Sequence, residues 1–332
     1  FIPRRYRLEV RERTSSGGEV VEPLNEGDVQ KALDFFIREG IEAVAVCFLH
    51  SYAFPAHERR CGEIIHRAAP DIPVTLSCEI TQEWREYERT TTAVLNSYVQ
   101  KKTAGYLQKL ETSVNGLGVA GSFYIMQSNG GTATFARGKT SPVNMVESGP
   151  VGGVIGAAEV GRMIGENNNI SFDVGGTTAK TSLISGGRPK ITTSYKIERT
   201  ETFAGYPILA PAVDIVEIGA GGGSIAWIDS GGTLRIGPIS AGAVPGPACY
   251  GKGGTEPTVT DANVLAGRIN PDYFLGGEIP LRPDLSEQAV RPLAKVLGVT
   301  PEEAAMGIIR LADAHMVNAI KLISVRRGFD PR

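Results

Sequence analysis

Apolar and polar positions change rhythm several times along this chain, and each rhythm predicts an element. Tyr6, Leu8 and Val10 alternate with polar residues, and Val20-Val21 follow Ser15-Ser16-Gly17-Gly18, which predicts a hairpin within residues 1–22. Asn25 and Asp28 precede Val29, Leu33, Phe36 and Ile37 at helical spacing, with Gly40 as the stop. Ile41 to Leu49 is an apolar run of the kind found in strands covered on both faces of a parallel sheet. A helical pattern over Pro55 to Ala69 and a short strand over Ile72 to Leu76 complete a β-α-β order, the edge of an α/β domain. One long helical pattern then runs from Thr81 to Leu110 and carries the chain from a first domain into a second.

Further on, Ser122 to Gln127 reads as a strand, Ser128-Asn129-Gly130-Gly131 as a turn, and Gly149 to Ile164 as a helix rich in small residues. Two similar hairpins follow. The first enters at Ile170, turns at Gly175-Gly176 and returns to Ile184. The second enters at Val216, passes Gly219-Ala220-Gly221-Gly222-Gly223 and returns as Ser224 to Ile228. Residues 237–261 form a loop too long to be a plain connection, which points to a functional segment wrapping a cleft. The final third is helical, including Pro301 to Leu311 and on to Arg326.

The first hairpin carries the most chemistry. Ile170, Phe172 and Val174 end a strand, Asp173 stands at its tip, and Thr177-Thr178-Ala179-Lys180 open the return. Glycines let backbone N–H groups approach a phosphate with no Cβ in the way, and successive turn amides form an anion-binding concavity. A lone carboxylate at the strand tip suits Mg²⁺, which keeps most of its waters. The same residues also suit an ordinary Gly-Gly turn. The second glycine tip reads either as a flexible loop or as a partner converging on the same anion. Lys180 either adds positive charge there or faces solvent.

Composition narrows the classes. The 332 residues allow about two domains. With 34 basic and 36 acidic residues, nothing favours nucleic acid or a charged membrane surface as a partner. No apolar run reaches the ~18 residues of a membrane span. The four cysteines, Cys47, Cys61, Cys78 and Cys249, lack the spacing of a zinc site or disulfide framework, so a reducing cytoplasm is expected. Beginning at Phe1 and stopping at Arg332, the chain reads as a fragment of something longer.

Several ordered motifs then point one way: Cys47-Phe-Leu-His-Ser-Tyr52, Arg85-Glu-Tyr-Glu-Arg-Thr90, Asn96-Ser-Tyr98, Gln127-Ser-Asn-Gly-Gly131 and Glu147-Ser-Gly-Pro-Val-Gly-Gly153. The phosphate hairpin, Ile218-Gly-Ala-Gly-Gly-Gly-Ser224, Pro245-Gly-Pro-Ala-Cys-Tyr-Gly251, Thr258-Val-Thr-Asp261 and Arg326-Arg-Gly-Phe-Asp-Pro331 continue the series. Across nearly its whole length the chain resembles the hydantoinase A / 5-oxoprolinase family. That resemblance implies an actin-like ATPase fold with ribonuclease-H-like domains, shared with sugar kinases and heat-shock chaperone ATPases. It also implies a division into residues 1–80 (the end of the family's N-terminal domain), a connecting helix region over 81–120, and an ATPase-like domain over 121–332. A first phosphate loop before residue 170 and an adenine-side segment after Gly328 are not found, so the chain is expected to lack the N-terminal strands and the C-terminal segment.

The implied activity is ATP-dependent opening of a small cyclic amide, by phosphorylation of the amide oxygen before water adds. The implied cofactors are ATP and Mg²⁺, and the implied partner is a hydantoinase B-type subunit or fused domain in an oligomer. Carried onto this chain, Asp173 is the metal ligand and, with Lys180, a catalytic candidate. Gly175, Gly176, Thr177, Thr178, Gly221, Gly222, Gly223 and Ser224 are the nucleotide-binding candidates. Acetone and acetophenone carboxylases share the motifs, so an ATP-using carboxylase subunit is the alternative, with a non-catalytic scaffold as a third. Elsewhere, Cys249 reads as structural or nucleophilic, and Asp261 as a helix cap or a base. His50 and His57 read as loop braces or ligand contacts, His315 as packing, and Trp84 and Trp227 as core.

Overall fold

The computed structural model describes residues 2–119, 121–198 and 202–330; Pro331 of the last motif lies outside them. Strands β1 (Arg13–Thr14) and β2 (Val20–Glu22) pair antiparallel, so a hairpin forms within residues 1–22, but the alternating Tyr6, Leu8 and Val10 lie ahead of β1, with Tyr6 in a 3-10 turn. Helix α1 (Glu26–Arg38) starts where the Asn25 side chain accepts the Asp28 amide. It buries Val29 and Leu33 completely, the face that the spacing marks out. Parallel strands β3 (Val44–Val46) and β4 (Val74–Leu76) flank α2 (Ala56–Ala68), which gives the expected β-α-β unit. Its core holds Val29, Leu33, Val44, Val46, Cys61, Ile65, Leu76 and Cys78.

The apolar run to Leu49 predicts a longer strand than β3. Beyond Val46 the backbone turns to side chains instead: the Phe48 amide donates to Glu58 Oε1 at 2.8 Å, and Arg89 donates to the Phe48 carbonyl at 2.8 Å. A short helix, α3 (Ser77–Ile80), precedes the long α4 (Glu86–Gly116), so the long helix starts five residues after Thr81. Trp84, expected in the core, lies before α4 and is 67% exposed. Strands β5 (Tyr124–Met126) and β6 (Thr132–Thr134) form a hairpin, followed by α5 (Phe135–Thr140) and α6 (Ser148–Ile164).

From here the chain leaves and re-enters. Antiparallel β7 (Asn169–Val174) and β8 (Ala179–Ser185) form the first glycine hairpin, extended by β9 (Arg188–Pro189). Strands β10 (Ile191–Thr192), β11 (Tyr195–Ile197), β12 (Tyr206–Ile208) and β13 (Ala212–Val213) follow, paired β10 with β13 and β11 with β12. They belong with the earlier part of the chain: the Leu209 amide donates to Thr92 of α4, and Ile208 and Ala210 pack with Leu95 and Val143. The molecule divides into two compact units, residues 1–152 with 191–213, and residues 153–190 with 214–332.

In the second unit, β14 (Val216–Ile218) does not form a hairpin with the strand after it, as the twin-hairpin reading expects. It pairs antiparallel with β8, giving the order β14-β8-β7. Strand β15 (Ser224–Ile228) pairs instead with β16 (Leu234–Ser240). The glycine run is therefore a crossing between two sheets. Trp227 on β15 is 43% exposed, not core, with its indole N–H on the Gly237 carbonyl at 2.8 Å. Helices α7 (Val259–Leu265), α8 (Pro283–Leu297) and α9 (Pro301–Ile323) close the unit. Ala262, Val290, Ala305, Ile308 and Ala312 of these helices pack with Ala226 and Ile236. Small alanines on the inner faces let the helices approach the strands closely. Among the described residues no helix is long and apolar enough to cross a membrane.

Candidate functional site

The β7–β8 register places Val174 opposite Ala179 and Asp173 opposite Lys180, so four residues, 175–178, make the turn. The Gly175 amide closes it onto the Thr178 carbonyl at 2.9 Å. Gly176 and Thr177 are exposed, and the amides of Gly176, Thr177 and Thr178 donate to no group among the described residues. Three unengaged amides in succession on an exposed turn are the donor set that an anion requires.

The second glycine run sits directly on this turn. Gly221 donates to the Thr177 carbonyl at 3.3 Å, Gly222 to that of Gly175 at 3.0 Å, and Gly223 to that of Gly176 at 2.5 Å. Ser224, buried, accepts from the Gly221 amide at 2.9 Å and lies 3.3 Å from the Thr177 carbonyl. The two tips thus meet, but the amides of the second are occupied by the carbonyls of the first. It acts as a brace that turns the first tip's carbonyls inward and its remaining amides outward. Thr260 at the start of α7 backs the brace, its amide and hydroxyl both on the Gly222 carbonyl.

Glycine is needed in the brace because of contact, not left-handed backbone: none of Gly175, Gly176 or Gly221–Gly223 has positive φ. A Cβ on Gly221 would lie 2.6 Å from Thr177 and Thr178 backbone atoms, whereas one on Gly176 would meet nothing within 4 Å. Gly221→Ala should therefore lower the thermal midpoint by several degrees, while Gly176→Ala should leave it unchanged. Thermal unfolding of both variants checks this contrast; equal midpoints would remove the brace.

Cross-strand register lines up Asp173, Lys180 and Glu217 as neighbours on β7, β8 and β14. Asp173 is exposed, and the Lys180 ammonium lies 3.6 Å from Glu217. Lys180 thus faces the same row as Asp173, with its side chain 18% exposed. Sequence reading alone does not single out Glu217; only the pairing of β14 with β8 brings it here. Among the described residues no group of three or more His, Cys, Asp or Glu is arranged to hold a metal ion. A lone oxygen ligand such as Asp173 fits only a largely hydrated hard cation.

Asp261, Cys249 and His57 are engaged within the fold. Asp261 is the third residue of α7 in a capping box with Thr258 as the cap. Burial, then the Asp261 carboxylate, pushes the Cys249 thiol up to about 12, which makes it a poor nucleophile. His57 Nδ1 is 2.7 Å from Glu12, tying α2 to the residue just before β1. His50 sits at a left-handed turn, φ 59°, with its ring edge-on to Tyr52. Four residues beyond the end of α9, Arg327 grips Asp214, two residues before β14.

Two family models match: hydantoinase/oxoprolinase over residues 89–332, and the hydantoinase/oxoprolinase N-terminal region over residues 1–69. The caprolactamase subunit alpha of Pseudomonas jessenii is 38% identical over all of this chain and 47% of its own length. An uncharacterized protein of Methanocaldococcus jannaschii is 43% identical over all of this chain and 50% of its own. The chain thus spans about half the length of these relatives. The nucleotide-free structure of acetone carboxylase superposes with a TM-score of 0.84 at 30% identity, over 97% of this chain and 45% of that one. Its α/β architecture and its sequence together place the chain in the hydantoinase/oxoprolinase family.

Proposed function

We propose that this chain is the phosphate-handling part of an ATP-dependent cyclic amide hydrolase, built on an actin-like ATPase fold with ribonuclease-H-like domains. The observation that carries the reading is the exposed 175–178 turn, with three free amides beside Asp173 and a rigid brace beneath it. Support comes from relatives named as a caprolactamase subunit and as 5-oxoprolinases.

ATP, when bound, supplies the γ-phosphoryl group that turns an amide oxygen into a leaving group. In this reading the amides of Gly176, Thr177 and Thr178 hold phosphate oxygens, and the Gly221–Ser224 brace fixes their direction. Such preorganised donors need no reorganisation as charge moves. Asp173 holds hydrated Mg²⁺. Lys180 adds positive charge to the row while Glu217 keeps its long side chain in place. A hydantoinase B-type subunit or fused domain completes the enzyme; relatives are themselves named as alpha, beta and gamma subunits. The second reading, the ATP-using subunit of a ketone carboxylase, is favoured by the acetone carboxylase likeness.

The test uses the full-length protein with its partner. ATP-dependent loss of ε-caprolactam, 5-oxoproline or hydantoin is expected, and consumption of acetone plus bicarbonate would select the carboxylase. Asp173→Asn should reduce ATP-coupled turnover at least 100-fold with an unchanged thermal midpoint. A fully active variant would remove the metal role.

A further inference from the structure

We propose that a cleft in the first compact unit is the seat of the amide substrate, an assignment that rests on the reading above. The cleft has a volume of about 460 Å³, within the range of small-molecule sites. Its polar wall is Gln82, Gln127, Asn129, Asn144 and Arg137, with Leu209 on the apolar side. The Gln127-Ser-Asn-Gly-Gly131 motif, which the phosphate turn leaves unexplained, supplies two of these.

The wall is held firmly. Buried Ser128 donates its amide at 2.7 Å and its hydroxyl at 2.9 Å to the Asn144 carbonyl, and the same hydroxyl is 2.6 Å from the Val146 carbonyl. This pins the Asn144 segment beside Gln127. Asn129 spends its side-chain oxygen on the Gly131 amide at 2.9 Å, which leaves its NH₂ group. Arg137 is tied at 3.2 Å to the Glu79 carbonyl. The carboxamides of Gln82, Gln127 and Asn144 line the cleft and bond no group among the described residues; those of Gln127 and Asn144 are half-buried, while Gln82 stands exposed at the rim.

That chemistry selects a ligand. A carboxamide offers a carbonyl and an NH₂ side by side. A small cyclic amide, locked cis by its ring, shows its own N–H and C=O on one edge in the complementary order. Leu209, with Ile80 and Pro211, gives the ring methylenes an apolar surface. A polyphosphate does not suit this wall, because Glu83 lines it and offsets Arg137. A ketone would satisfy the donors and leave the carboxamide acceptors unpaired.

The test is ligand-observed NMR titration of the chain with ε-caprolactam and with cycloheptanone, the same ring without the N–H. The lactam should bind, the ketone should bind at least tenfold more weakly, and Gln127→Leu/Asn144→Leu should weaken lactam binding at least tenfold. Gln127→Met, which keeps the side-chain length, should show the same direction if the double variant unfolds. No lactam binding, equal affinity for the ketone, or unaltered binding by the variants would each overturn the assignment. No nucleotide is present, so this outcome is separate from whether ATP drives turnover.

Discussion

Replacing Asp261 with alanine is expected to lower the thermal midpoint by roughly 10 °C or more. The carboxylate is fully buried and accepts five hydrogen bonds. The amides of Ala248, Cys249 and Thr258 lie at 3.1, 2.8 and 3.0 Å, and the hydroxyls of Thr258 and Ser286 at 2.7 and 2.8 Å. One side chain thus fastens the 245–251 loop, the start of α7 and the start of α8. Alanine would leave those donors buried without acceptors, at about 1–3 kcal/mol each before relaxation, so a net loss of about 3–5 kcal/mol is expected. Asp261→Asn should recover little, because its NH₂ group would face other donors. Thermal unfolding checks both; a fall of only a degree or two for alanine would contradict the account.

The second large effect is expected at the Glu58–Arg89 pair, whose side chains are both 0% exposed. Glu58 Oε1 accepts from the Phe48 amide at 2.8 Å and from Ser51 and Ser77 at 2.6 Å each, and Oε2 from the Cys78 amide at 2.9 Å. Arg89 donates to the same two serine hydroxyls and to the Phe48 carbonyl. Each serine therefore accepts from the cation and donates to the anion. Arg89→Met or Glu58→Leu alone leaves a buried charge without its counterpart and should cost about 3–5 kcal/mol. The double variant should be less damaging than the sum of the two. Additive losses in denaturant unfolding would show that the residues act independently.

These two networks mark where sequence reading stops. Helix α1 is legible because its cap and apolar face lie within a few residues of one another. The glycine turn at 175–176 is legible for the same local reason. Strand β3 is shorter than its apolar run because side chains of Glu58 and Arg89, 10 and 41 residues away from Phe48, take that backbone out of the ladder. The partner of β14 is likewise not written near β14: a glycine run between two strands suits a hairpin as well as a crossing between sheets. The pairing of β14 with β8 and of β15 with β16, with Gly221 packed against Thr177 and Thr178 between them, distinguishes the two. Glu217 depends on such a distant pairing and leaves no short motif of its own, and the cleft shows only its 127–131 motif, not the Gln82, Asn144 and Leu209 that complete it.

The excursion of residues 191–213 has a consequence for chimeras. The chain passes between its compact units at 152/153, 190/191 and 213/214. No single backbone cut can therefore release either unit whole. Exchanging one unit with that of a relative needs three junctions, with residues 191–213 travelling alongside residues 1–152. A one-point splice at 152/153 would join strands β10–β13 of one parent to the α4 of another, across the Leu209–Thr92 bond and the Leu95–Ile208 packing.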